Sequence, residues 1–210
     1  MIEQLKLTRD KVNDITALIG AVKVEPLSAQ IGTPDDRYYV TLAEPAGERG
    51  RNRMRLFIAG PSWAHKGRIY ISGEYPSYTD GQGRKQTGYP RSVWVKNVRQ
   101  SAPEITCAVE RTAAQIAKDI QRRFLPEFAR VWALCKANAD LNQNYTDGVS
   151  AAAARIAALT GGQIWGQEKN QVSFAGGEIT YIRASNGTVD VKFSDVTEEQ
   201  LARMIAARKG

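Results

Sequence analysis

Histidine and cysteine are nearly missing from this chain. Among 210 residues there is one histidine, His65, and two cysteines, Cys107 and Cys135, with no CxxC pair. A structural zinc centre of the Cys/His type needs four such ligands, and with one histidine and no CxxC pair a zinc site is not expected. Both cysteines stand in apolar stretches, one strand-like and one helical, and are expected to be buried thiols. His65 lies in the turn-like "PSWAHKG", and no serine or cysteine offers it an obvious catalytic partnership.

Other absences are as informative. No apolar run approaches the roughly 18 residues a membrane helix needs. The opening "MIEQLKLTRDKVND" mixes acids with bases and has no apolar signal core; the expected location is the cytoplasm. "DGQGRKQTG" is not a phosphate-binding loop of the GK[ST] type, and Gln86 stands where GxGxxG requires its third glycine. No RNP1 motif is present. Helix, strands, helix is the order of a double-stranded-RNA-binding domain, but "ERTAAQIAKD" lacks the lysine-rich entry of that domain's second helix. Asp35, Asp36, Glu74 and Asp80 are the acids near the expected sheet, without the Asp…Glu-x-Lys spacing of a metal-dependent nuclease. The expectation is a non-enzymatic protein with no cofactor and no metal.

What the chain does have is unevenly placed positive charge. The net charge is +7. Residues 1–44 hold 5 bases and 7 acids, residues 45–100 hold 11 and 3, and residues 101–210 hold 13 and 12. The excess therefore lies in the middle quarter, the usual footprint of a polyanion partner; a solvated basic face that aids solubility has the same composition.

Apolar periodicity and punctuation predict an α+β fold. Thr8 reads as the N-cap of a first helix with Val12, Ile15, Ile19 and Val22 on one face, closed by Gly20. "VKVEP" reads as a short strand. Strand-like runs follow at 37–44, 52–60, 67–75, 92–98 and 104–110, close enough to pair as an antiparallel meander. The glycine-rich, basic stretch 76–91 reads as a mobile loop. Thr112 and Gln115 then form a capping box. Behind it run Ile116, Ile120, Phe124, Phe128, Trp132 and Cys135, the core stripe of a long helix that Pro126 must kink or restart. Lys118, Arg122, Arg123 and Arg130 fall off that stripe, with Asp119 and Glu127 beside them.

"KANADLNQNYTDG", at 136–148, reads as a linker. It divides a basic α+β domain, 1–138, from a small α+β domain, 148–210. The latter opens with a helix ended by Gly161–Gly162. Short strands follow, with a hairpin turn at Asn186–Gly187, and then a final helix capped by Thr197 and Gln200 with a Val196–Leu201 staple. In the whole chain, an antiparallel sheet is packed by the N-terminal helix and the Pro-kinked helix, and the small unit follows.

The most specific stretch is "GERGRNRMRLFIAG". Arg49, Arg51, Arg53 and Arg55 occupy alternate positions, with Met54, Leu56 and Ile58 between and beyond. In an extended chain the arginines share a face with Phe57, and the apolar residues share the other. Several unpaired guanidinium groups are too costly to desolvate, so the arginine face must meet water, acids or phosphates. Arg68 and Tyr70 alternate with Ile69 and Ile71, and Trp94 and Lys96 with Val93 and Val95. Cations and rings sharing the open face of one sheet suit nucleic acid, single strands included, because cations follow phosphates and rings stack on bases. Arg84, Lys85 and Arg91 sit in the basic loop, placed to close over such a ligand. Packing of Trp94 and Phe57 under the long helix would leave only a basic rim.

"ITCAVERTAAQIAKDIQRRFLPEF" and "EITYIRASNGTVDVKFSDVTEEQLARMIAARK", together roughly a quarter of the chain, resemble uncharacterised proteins encoded by bacteriophages and integrated mobile elements. The resemblance implies a bacterial host cytoplasm and an accessory role, and it carries no functional residues. Two partners fit that setting: nucleic acid, or an acidic or nucleic-acid-handling complex of host defence, inhibited as anti-CRISPR and anti-restriction proteins inhibit theirs.

Overall fold

The computed structural model describes residues 7–26, 37–43, 53–61, 67–166, 170–183, 188–194 and 196–209. Within them the chain divides into two compact units, one of residues 1–77 with 87–139 and one of 78–86 with 140–210.

The first unit is built on a five-stranded antiparallel sheet. Helix α1 (Arg9–Leu18) opens it, with the Thr8 hydroxyl accepting from the Lys11 N–H, as its N-cap position predicts. Strands β1 (Ala21–Pro26), β2 (Arg37–Leu42), β3 (Arg55–Ala59) and β4 (Arg68–Glu74) follow as a meander. Strand β9 (Glu104–Ala108) closes the order β1-β2-β3-β4-β9. Alternation sends Tyr38, Val40, Leu56, Ile58, Ile69, Ile71, Ile105 and Cys107 to one face. Val12 and Ile15 of α1 cover that face together with Ile116, Ile120, Phe124, Phe128 and Trp132 of the long helical region. Each large side chain buried this way contributes about 1.5–3 kcal/mol. Gly73 is required by this packing: a Cβ there would sit 1.9 Å from a Phe128 ring carbon. Both cysteines are free and buried, as expected, and burial pushes the Cys135 thiol up to about 11.

The long helical region begins at the expected capping box. Thr112 Oγ1 accepts from the Gln115 N–H and Gln115 Oε1 from the Thr112 N–H. The α-helical pattern holds over α2 (Ala113–Asp119), gives way to a π-helical turn at Ile120–Phe124, and resumes as α3 (Leu125–Thr160). The helical run continues through Pro126, which stands at the second position of α3 without a break; what precedes it is this turn. The Leu125 N–H donates five residues back to Ile120 O, and the wider register falls immediately before a proline that has no N–H to give.

Two sequence expectations are corrected here. Residues 136–148 are not a linker but the middle of α3, and the boundary between the units falls inside this helix, between Ala139 and Asp140. Lys136, Ala137, Ala139, Leu141 and Gln143 are good helix formers, and Asn, Asp and Thr cost only some tenths of a kcal/mol each. Gln143 Nε2 donates to Asp147 Oδ1 at 2.8 Å, one turn on, and buried Ala139, Val149 and Ala153 continue the apolar stripe. Residues 76–91 are not a structureless loop either. They hold the hairpin β5 (Ser77–Thr79) and β6 (Lys85–Thr87) and a 3-10 turn at Pro90–Ser92.

In the second unit, β10 (Gln163–Trp165), β11 (Gln171–Phe174), β12 (Gly177–Arg183) and β13 (Thr188–Phe193) form a four-stranded antiparallel sheet in chain order. Val172 and Ile179 pack on Ala153 of α3, with Ile156, Phe174 and Val189 around them. The expected Asn186–Gly187 turn and the Leu201 side chain of the staple lie outside the described residues, although β12 and β13 pair as expected. The cap of α4 (Glu198–Lys209) forms in both directions between Thr197 and Gln200.

Candidate nucleic-acid interface

The open face of the five-stranded sheet carries part of the expected set. Register places Lys23, Thr41, Arg55 and Glu74 in one row across the strands, and Glu25, Tyr39, Phe57, Ser72 and Glu104 in the next. Tyr39, Phe57 and Tyr70 form an aromatic strip, with ring centroids 5.6 and 6.5 Å apart along it. Lys23, Arg55 and Arg68 on this face are engaged, while the buried Nε of Arg37, on the same face, has no hydrogen-bond partner among the described residues. Arg55 bridges Glu74 at 2.8 Å and Glu25 at 3.1 Å, and its guanidinium lies 4.5 Å over the Tyr39 ring. Arg68 donates through Nε to Thr106 Oγ1 and through a terminal nitrogen to Thr106 O. The Tyr70 hydroxyl donates to Glu104 at 2.8 Å, and burial followed by that bond raises its pKa. A hydrogen bond from Lys23, reinforced by the charges of Lys23 and Arg55, holds Glu25 below its ordinary value. Arg53 is exposed just ahead of β3. Arg49, Arg51 and His65 lie outside the described residues.

Arg84 and Lys85 belong to the other compact unit, on the β5–β6 hairpin. Asp80 organises that turn. Burial acts against its charge, but donors from the Arg84 backbone, the Gln86 and Arg84 side chains and the Gln82 backbone outweigh burial and hold the carboxyl at about 2. Arg84 therefore spends its charge on a neighbour 2.9 Å away, while Lys85 is exposed.

Trp94 and Lys96 are not on the sheet. The run read as one strand, 92–98, is a separate two-stranded ribbon: β7 (Trp94–Val95), a turn at Lys96–Asn97, and β8 (Val98–Arg99). Both turn residues have positive φ, 49° and 63°, the conformation that tight two-residue hairpins demand. Asparagine at the second position is a signal for such a turn; lysine at the first, which disfavours it, hides it from a sequence reading. The ribbon also brings in a residue the sequence reading left out of the site. Arg99 pairs with Trp94 across the strands, its guanidinium 4.8 Å from the indole centroid. Trp94 is 57% exposed and Val98 63%, so this indole does not pack under the long helix.

The base of the ribbon is fixed. Buried Val93 packs with Val131 and Cys135. Buried Gln100 donates its backbone N–H to Val93 O at 3.0 Å, donates its side-chain amide to Val98 O and accepts from Arg130. Arg130 also bridges Glu127 at 2.7 Å, and Arg123 lies 3.7 Å from Asp119. Asp119, expected on the exposed side of the helix, is instead buried, where it also binds Arg111 and faces the Cys107 thiol. Arg91 and Lys96 are exposed, and neither has an ion-pair or hydrogen-bond partner among the described residues. Residues 87–103 contain Arg91, Lys96 and Arg99 and not one Asp or Glu.

Among the described residues there is no cluster of three metal-ligating side chains, and no helix is long and apolar enough to cross a membrane. No protein-family model, curated protein or solved structure matches the chain.

Proposed function

We propose that this is a non-enzymatic nucleic-acid-binding accessory protein of a phage or mobile element, acting in the bacterial cytoplasm without strong sequence preference. The supporting observation is the ribbon: an exposed indole stacked on an arginine, two further cations beside it, and no acid from residue 87 to residue 103. Charges left without acidic partners are the ones that release counterions on meeting a phosphate backbone. The sheet-face arginines contribute less, because Arg55 is neutralised by two glutamates.

Fluorescence anisotropy with labelled oligonucleotides at about 50 and 200 mM salt tests the reading. Three phosphate contacts imply that log affinity falls against log salt with a slope of about −2 on single strands. Absence of binding at the lower salt would sink it.

One observation favours a second reading. Val98 is an exposed apolar residue at the tip, paired with Val95 on the face of the ribbon opposite Trp94 and Arg99, and tryptophan and arginine dominate protein-binding hot spots. An inhibitor of a host defence complex would dock there, with the cations meeting acids of the partner. A pull-down from bacterial lysate separates the two: nuclease treatment abolishes capture in the first case and leaves it intact in the second.

A further inference from the structure

We infer that the ribbon is a base-stacking head and that its ligand is an unpaired strand, one base resting on the face of Trp94 opposite Arg99. This rests on the nucleic-acid reading and names its substrate class. The guanidinium of Arg99 stands 4.8 Å from the indole centroid and occupies one side of the ring, yet Trp94 remains 57% exposed. The open area is therefore the other face and the ring edge. A flat, solvated indole backed by a cation is a platform for another flat π-system. In a duplex each base face is already stacked on its neighbours; in an unpaired strand it is available. Tryptophan is also a poor reader of base edges, since its single N–H offers one donor and no acceptor.

The platform is held ready before binding. Val93 and Gln100 close the ribbon at its base and seat it on α3 through Val131, Cys135 and Arg130, so little ordering remains to oppose association. Lys96 in the turn and Arg91 three residues ahead of Trp94 are exposed and add charge for the phosphates of the strand.

The full chain is titrated by anisotropy at about 50 mM salt against four probes roughly 20 residues long: oligo-dT, oligo-rU, an abasic deoxyribose-phosphate strand and a duplex. Trp94→Ala is expected to weaken oligo-dT or oligo-rU by about ten-fold and to change the abasic strand and the duplex by less than about two-fold. Trp94→Phe should recover most of the loss. Circular dichroism of each variant confirms folding, which an exposed side chain is not expected to disturb. Equal binding of the abasic strand and oligo-dT by the wild-type protein overturns the stacking inference and leaves the nucleic-acid reading standing. So does an equal loss on all four probes with Trp94→Ala. Failure of every probe to bind overturns both.

Discussion

The open face of the five-stranded sheet and the Trp94–Arg99 ribbon are made from the same ingredients. Each displays arginine and aromatic side chains, three rings on the sheet and one on the ribbon, with an arginine over a ring 4.5 Å away on the sheet and 4.8 Å on the ribbon. They differ in what stands across the strands. On the sheet, Arg55 lies between Glu25 and Glu74, Tyr70 donates to Glu104 and Arg68 is tied to Thr106. On the ribbon, Arg99 faces only an indole, and Lys96 and Arg91 face water. Positive charge counted along a chain is thus not the same as positive charge available to a partner. Arg55 and Arg68 hold neighbouring strands of the sheet, and the ribbon leaves its cations for a ligand.

The sharpest way to break this contrast is to delete both sets. Replacing Arg91, Lys96 and Arg99 together by alanine should remove about two units of the salt slope for single strands, and about a hundred-fold of affinity at about 50 mM salt. Replacing Arg53, Arg55 and Arg68 should cost binding less than about three-fold, because Arg55 is already paired with two glutamates and Arg68 is held by Thr106 before any ligand arrives. Parallel anisotropy titrations decide it. Comparable losses from the two triples would mean that the sheet face is part of the interface after all.

Stability should respond in the opposite sense. Arg55→Leu strands two glutamates that a single guanidinium now joins, in a row where Lys23 serves only one of them. Thermal unfolding should shift down by about 2–5 °C, while Arg91→Ala and Arg99→Ala should move the midpoint by less than about 1 °C. A sheet variant as stable as the wild type would show that the glutamate bridges are ornaments of the surface.

How far these roles were legible in the sequence depends on whether a signal is local. Capping boxes, strand alternation and the Phe124–Phe128–Trp132 stripe are set by spacing along the chain, and the corresponding elements are present. The acids beside Arg55 come from residues 19 positions after it and 30 before it. No pattern around the arginines announces them; only the strand register does. Residues 136–148 misled for a different reason. Their Asn and Asp content resembles a loop, but helix propensity differences of some tenths of a kcal/mol are small beside the burial of Ala139, Val149 and Ala153. Trp94 is exposed, one of the two placements its sequence allows, and its place off the sheet is hidden because Lys96 occupies a turn position that lysine disfavours.

That turn yields a smaller and more selective test. A non-glycine residue with φ of 49° carries backbone strain, which asparagine tolerates better than lysine. Lys96→Asn should therefore stabilise the fold by up to about 1 kcal/mol while flattening the single-strand salt slope by about 0.7. A gain in unfolding midpoint with a loss in binding is the signature of a residue kept for its charge at the expense of its turn. If binding is unchanged, Lys96 is not a phosphate contact, and the ribbon's role shrinks to Trp94 and Arg99.

The smallest effect is confined to the β5–β6 hairpin, whose Arg84 belongs with the compensated cations. Asp80 has its carboxyl depressed to about 2 by four donors, against an ordinary value near about 4. A depressed folded-state pKa means that the carboxylate's contribution to the hairpin is complete above about pH 4 and is lost as pH falls toward about 2. The Asp80 carboxyl carbon, followed by NMR, should titrate with a midpoint near about 2. At neutral pH, Asp80→Asn should lower the exchange protection of the Gln82 and Arg84 amides, which now donate to Oδ1. The global unfolding midpoint should scarcely move, because only one local turn is affected. A midpoint near about 4 in the folded chain would mean that Asp80 does not hold Arg84, and Arg84 would then rejoin Lys85 as charge open to a polyanion.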